Sequence, residues 1–323
     1  MNGICTLGND RVYDQIVALL NSIEVVLGSE TPVCIYPFDE HTQMIGAEIS
    51  KRPNVFLYDD TESIQRWDEF MQAVRPDKMD RSKRLYGAHR RFCAFDGPFD
   101  KFIYMDADTL VMKSLDFVFD KLDKYNCVVY DFQYVQPEYV YNIKSTKLLE
   151  VFNKETINKE IFCSGFYGSK RGVFSQEQRD WLIYQLQAGE SEIFKPGGHD
   201  QPVINYMFMR SGIPIYNFAH HLPETEITGC TVTSKQFEEK DNILYDKGKR
   251  LTYIHYIGIS PQVPAAVCAG ENIDFPYRDV FLHYRYLHEP EKRPVFTGVP
   301  VPYNYKPHPS LIKRVLNRLK LTR

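Results

Sequence analysis

Phe102-Ile103-Tyr104-Met105-Asp106-Ala107-Asp108-Thr109-Leu110-Val111 is the stretch that decides the reading of this chain. Apolar, β-favouring residues lead into two carboxylates, the pattern of a short buried strand that ends at a site. Side chains two apart on an extended backbone project to the same side, so Asp106 and Asp108 can converge on one point. Two uncompensated carboxylates there repel each other. A hard cation between them removes the repulsion and leaves positions open for phosphate oxygens. The competing reading is a turn that merely uses two aspartates; the apolar strand just before them favours the cation.

The chain around this stretch has 323 residues, 43% of them hydrophobic, enough for one large α/β domain or two small ones. A formal net charge of -3 argues against a general nucleic-acid binder, which carries a basic excess. No apolar run approaches the length of a transmembrane helix. Met1 leads directly into an apparent strand without a basic or cleavable apolar leader, so a cytoplasmic protein is expected. The seven cysteines form no Cys-x-x-Cys pair and sit in apolar runs such as Cys127-Val128-Val129. Reduced core thiols account for them, and their spacing gives no support to a zinc site.

Upstream of the carboxylates, residues 4–7, 33–36 and 55–58 read as strands. A helix capped by Asn9 or Asp10 lies between the first two, with Tyr13, Ile16, Val17, Leu20, Ile23 and Leu27 on its buried face. This rhythm is that of an α/β protein with a mostly parallel sheet and flanking helices. Functional groups in such sheets collect where the carboxyl ends of strands open into loops. Asn9, Asp59, Asp60 and the Asp106/Asp108 pair all fall at such ends. Residues 81–95 have helical spacing in Leu85, Ala88, Phe92 and Phe95, and carry Arg81, Lys83, Arg84, Arg90 and Arg91. A basic helix entering the carboxylate strand can bring cations to a diphosphate, although a solvated face accounts for most of the five.

Downstream, residues 115–122 suggest a helix, and 127–132 and 161–168 suggest strands. Gly165, inside the second of these, marks a close approach of backbone or ligand. Residues 197–202 open an apolar helix over 203–209, which sets Asp200 and Gln201 at its mouth. Residues 252–258 read as a late strand carrying His255, and a lone histidine among apolar residues is by itself more often structural than a ligand. From 290 to 309 the chain is proline-rich and extended, a tether after a body spanning 1–289. Residues 310–323 recover a helical pattern: Leu311, Ile312, Val315, Leu316 and Leu319 alternate with Lys313, Arg314, Arg318, Lys320 and Arg323. A basic amphipathic helix of this kind suits an anionic membrane surface, with docking on the body as the alternative.

Taken together, the chain resembles the nucleotide-sugar glycosyltransferases of family 8, from Thr6 to about Gly258. The resemblance rests on Thr6-Leu7-Gly8-Asn9-Asp10 with Tyr13, on Tyr104 to Val111 around the Asp-x-Asp pair, on Ser164-Gly165, on Asp200-Gln201, and on His255-Tyr256-Ile257-Gly258. It implies a GT-A type nucleotide-diphospho-sugar transferase fold. It further implies that Thr6, Leu7, Asn9 and Tyr13 hold the nucleoside of a UDP-sugar, and that Asp106, Asp108 and His255 bind manganese, with magnesium possible. Arg90 stands sixteen positions before the pair, where the family has a basic residue near the donor. Ala107, Gly165 and Gly258 belong to the same donor-binding set, and Asp200 and Gln201 take the place beside the transferred sugar as catalytic residues. Three departures stand out. Pro261 replaces a lysine that grips the diphosphate in the family, one extra residue separates Asn9-Asp10 from Tyr13, and Pro202 directly follows Gln201.

The activity this implies is metal-dependent transfer of a hexose, with retention of configuration, to a glycan or lipid-linked glycan at the cytoplasmic face of a membrane. A front-face displacement guided by the leaving diphosphate is the implied route, with Asp200 as covalent nucleophile the second choice. Two rivals remain. One is a sugar-nucleotide fold that binds without turnover, which Pro261 keeps open. The other is a haloacid-dehalogenase-type phosphatase, which wants Thr or Val where this chain has Leu110.

Overall fold

The computed structural model describes residues 1–83 and 85–305. Its centre is a seven-stranded sheet of β1 (Asn2–Gly8), β2 (Val33–Pro37), β3 (Val55–Leu57), β4 (Lys101–Met105), β6 (Cys127–Val129), β7 (Phe166–Lys170) and β8 (Ile215–Asn217). The order is β3-β2-β1-β4-β7-β6-β8. Only β7 runs against its neighbours; the remaining pairings are parallel. The carboxyl ends of six strands and the amino end of β7 therefore share one edge, as expected for the mostly parallel sheet. β5 (Thr109–Val111), just past the carboxylates, leaves this sheet. A small antiparallel sheet of β9 (Glu238–Lys240), β10 (Ile243–Asp246) and β11 (Lys249–Arg250) leads into β12 (Tyr253–His255), which pairs antiparallel with β5.

Both faces of the main sheet are buried, and the strand alternation sorts side chains between them. On β4, Phe102 and Tyr104 join Cys5, Trp67, Phe92, Phe95 and Tyr167 on one side. Ile103 and Met105 join Ile4, Ile16, Leu20, Ile35 and Phe166 on the other. A third cluster, with Leu110, Ile254, Tyr256 and Phe281, lies under β5 and β12. The helix Tyr13–Leu27 follows a single 3-10 turn at Asp10–Val12, whose first free N–H groups are met by Asn9: its side-chain oxygen accepts from the Arg11 amide.

Several sequence expectations are corrected in their extent. Residues 81–95 do not form one helix: a 3-10 helix covers Ala88–Phe95 only, and Leu85 is exposed. Asp80 holds the preceding stretch as a turn by accepting from the Ser82 amide and hydroxyl. At Gly87 a Cβ would stand 1.8 Å from the Phe38 carbonyl oxygen, an approach only glycine allows. Arg84 lies outside the described residues. The strand expected over 161–168 begins at Phe166, and the expected 127–132 strand ends at Val129. The backbone of 162–165 is instead bonded elsewhere. Asn205 brackets Phe162, donating to its carbonyl and accepting from its amide, while Asp131 accepts from the Cys163 amide. Arg91 donates to the Ser164 carbonyl, and the Asp106 amide to that of Gly165.

The helix expected from Val203 starts at Asp200, so Pro202 is its third residue, where a missing N–H costs nothing. The late strand is limited to Tyr253–His255, and Gly258 turns the chain at φ +82°. The proline-rich stretch is tied down over part of its length. β13 (Ile273–Asp274) pairs in parallel with β14 (Val301–Pro302), and Asn272 donates to the carbonyls of Thr297 and Gly298. The amphipathic segment 310–323 lies outside the described residues.

Candidate active site

The carboxyl end of β4 and the loop to β5 present Asp106 and Asp108, and the end of β12 presents His255. The register Thr109↔His255 between β5 and β12 sets the histidine opposite the carboxylates, and the Tyr256 amide donates to the Asp108 carbonyl at 2.8 Å. One ligand atom from each of Asp106, Asp108 and His255 lies within 4.8 Å of the other two. His255 Nε2 is 3.2 Å from Asp108 Oδ1 and 3.9 Å from Asp106 Oδ2. Two carboxylate oxygens and one imidazole nitrogen suit a divalent ion such as manganese. The backbone opposite them leaves the space: at Gly165 a Cβ would stand 2.5 Å from His255 Cε1 and 2.9 Å from Asp106 Oδ2. The residues present fit the group. Gly165→Ala is therefore expected to displace His255 and Asp106, weakening manganese binding by roughly 10-fold to 100-fold, readable by calorimetry.

Charge in this corner is tightly coupled. Burial and the neighbouring Asp108 carboxylate push Asp106 up, against the pull of Arg91. Burial would also raise Asp108, but the His255 imidazole overrides it and holds the carboxyl below its ordinary value. Burial would lower His255; Asp108 instead holds it well above the usual imidazole range.

Arg91 ties this corner to the next. Its guanidinium is buried, with Nη2 3.1 Å from Asp106 Oδ1 and Nε 2.9 Å from Asp200 Oδ2, and it lies over the Tyr104 ring at 4.9 Å. Tyr104 also donates its hydroxyl to Asp106 Oδ1 at 2.9 Å. Asp200, at the first turn of the helix Asp200–Arg210, receives the Ser164 hydroxyl at 3.4 Å. Burial raises its pKa, but Arg91 and His199 together outweigh that and bring it down to about 2. Asp200 is thus an ionised carboxylate near neutral pH, one arginine away from the candidate metal ligands.

The residues singled out from the sequence therefore divide. Asp106, Asp108, His255, Gly165 and Asp200 come together, with Ala107 buried between the two carboxylates. Gln201 is next to Asp200, and its backbone carbonyl accepts from Asn205. Asn9 lies at the end of β1, where its amide donates to Asp39 at 2.8 Å. Thr6 and Leu7 are buried within β1 itself. Tyr13 is engaged elsewhere: its hydroxyl donates to Glu48 at 3.4 Å and Arg285 covers its ring at 5.4 Å. Arg90 is held by Asp68 through two bonds, of 3.0 and 2.8 Å, and the next residue, Arg91, is the one that meets Asp106. Gly258 forms an exposed turn.

Asp131, at the mouth of β6, was not singled out. It accepts from the Gln133 and Cys163 amides, and burial pushes its carboxyl up to about 7. The signal for it was the same as for Asp106, an aspartate closing an apolar run.

No family model matches the chain, and no curated protein matches it in sequence. Solved structures share its fold. A galactosyltransferase LgtC in complex with donor and acceptor sugar analogs is 13% identical, over 80% of this chain and 87% of that one, with a TM-score of 0.51. The apo WbbM bifunctional glycosyltransferase is 15% identical over 90% of this chain, at a TM-score of 0.51. This chain spans about half of it, 51%. Mouse xyloside xylosyltransferase 1 in its apo form is 12% identical over 68% of this chain and 85% of that one, with a TM-score of 0.50. With its mostly parallel seven-stranded sheet and flanking helices, the chain has the GT-A glycosyltransferase fold.

Proposed function

We propose that this chain is a metal-dependent, retaining glycosyltransferase of the family 8 type, moving a hexose from a UDP-sugar to a glycan or lipid-linked glycan. The observation that carries the reading is the convergence of Asp106, Asp108 and His255 beside the Arg91–Asp200 pair, at the carboxyl edge of the sheet. A divalent ion held by the three ligands would supply Lewis-acid neutralisation of the diphosphate as the glycosidic bond breaks. Arg91 orients Asp106 and Asp200 together, so the metal corner and the sugar corner keep a fixed separation. Ionised Asp200 faces the anomeric carbon, where its charge stabilises the developing oxocarbenium ion, and Gln201 positions the sugar. The chain's own cation for the diphosphate is not at Pro261, which instead precedes the helix Gln262–Cys268.

The test is UDP release from a panel of UDP-hexoses with manganese and with chelator. Manganese-dependent hydrolysis or transfer with at least one donor is expected. Manganese-dependent UDP binding with no turnover on any donor would make the chain a silent sugar-nucleotide binder. Phosphate release from simple phosphomonoesters would favour the phosphatase.

The proposal extends to the division into a catalytic body over 1–289, a tether over 290–309 and a membrane-binding segment over 310–323. Five cations and a stripe of five aliphatic residues in that last segment support association with the cytoplasmic leaflet. The full chain is expected to sediment with anionic vesicles at low salt, and a chain ending at Pro309 to remain in solution. Equal sedimentation of the two would remove this part.

A further inference from the structure

Two concavities of similar size lie outside the catalytic corner, and they differ in what they leave available. The one near Lys51 and Arg285, about 500 Å³, is lined by charges that satisfy one another: Arg52 binds Glu48, Glu24 and Asn21. The other, about 520 Å³, is an open depression between the helix Thr61–Val74 and the side chains of Met79, Arg81 and Tyr86. Its size is that of a small-ligand site.

The helix contributes one stripe to this groove, from Thr61 through Gln65 and Glu69 to Gln72. At helical rise that stripe is about 16 Å long. Gln65 donates to Glu69 at 2.8 Å, which fixes both heads, while the Gln72 amide has no hydrogen-bond partner among the described residues. Across the groove, Arg81 is exposed, has no ion pair among the described residues, and lies 5.6 Å from the Tyr86 ring. Ile64 and Met79 add apolar surface. Asp68 contributes no free charge, because His89 and Arg90 occupy both its oxygens. Planar amide, carboxylate and guanidinium groups beside apolar patches suit a ligand with many hydroxyls and aliphatic ring faces. The Glu69 carboxylate disfavours a phosphate.

Two hydrogen-bonded links join the walls of the groove to the candidate site. Asp68 fixes Arg90, the neighbour of Arg91, and Lys78 donates to the Pro196 carbonyl in the loop that leads into Asp200. We propose that this groove binds an uncharged oligosaccharide, the part of the acceptor glycan remote from the sugar that reacts. Its role as an acceptor subsite rests on the transferase reading; the binding itself does not.

Saturation-transfer NMR of the full chain with cellotetraose, maltotetraose, mannotetraose and lacto-N-neotetraose tests it, against a Gln65→Ala/Gln72→Ala/Arg81→Ala variant. These side chains lie on the outer surface, and an unchanged melting midpoint verifies the fold. At least one tetrasaccharide is expected to bind, methyl hexosides are not, and the variant is expected to lose about tenfold in affinity. Its UDP-sugar hydrolysis is expected to match the parent. No binding of any tetrasaccharide, equal binding by the variant, or preferential binding of hexose 6-phosphates would overturn the site. Tetrasaccharide binding by a chain that hydrolyses no UDP-sugar would keep the glycan site and remove its role as an acceptor subsite.

Discussion

Asp108→Asn is expected to abolish manganese-dependent UDP binding and to lower turnover by roughly 10³-fold or more, because it removes a charged ligand from a three-ligand site. The fold should survive. The Asp108 backbone carbonyl, which accepts from Tyr256, is untouched, and the side chain is of equal size. Without metal, the substitution relieves the repulsion that raises Asp106 but also removes the carboxylate that pairs with His255 at 3.2 Å. The melting midpoint of the metal-free protein should therefore fall modestly, while the stabilisation produced by adding manganese and UDP should disappear. Calorimetry showing the same manganese-dependent UDP affinity in the variant would sink the metal assignment.

Much of this site was legible because its signals are local. An apolar strand closed by Asp106 and Asp108 needs only the two-residue repeat of β structure to be read, and Gly165 announces itself as a small residue where backbone approaches. His255 is different. Its role depends on β12 pairing with β5 across more than a hundred residues, which no periodicity encodes, so only the family resemblance pointed to it. That Arg91, and not the Arg90 marked by the resemblance, meets Asp106 has a subtler reason. Adjacent residues on a 3-10 helix differ by about 120° in direction, and the phase of that helix is set by the turn at Asp80 and the close approach at Gly87. Residues 161–165 look like strand in composition, yet their hydrogen bonds go largely to Asn205, Asp131 and Arg91. Side chains distant in sequence decided that local structure.

Arg91→Met is expected to be the most damaging single change for the fold and the site together. In the wild-type protein the guanidinium meets Asp106, Asp200, the Ser164 carbonyl and the Ala88 carbonyl at once, and rests on Tyr104. Methionine fills most of that volume and supplies none of those donors. Buried Asp200 and partly buried Asp106 lose their arginine counter-charge, and breaking the buried Arg91–Asp200 pair in this way costs about 3–5 kcal/mol. The pH dependence has a definite sign. Asp200 is depressed to about 2 in the fold against an ordinary 3.8, so its contribution to stability is present above the ordinary value and is lost as pH falls through 2. The stability gap between wild type and variant should accordingly be widest above pH 4 and narrow below it. Arg91→Lys separates charge from geometry: one ammonium cannot fork to Asp106, Asp200 and Ser164 together. It should recover part of the stability in urea unfolding at pH 7 while turnover stays low. A lysine variant with full turnover would mean that charge alone suffices and that the fixed spacing between the metal corner and Asp200 has no part in the reaction.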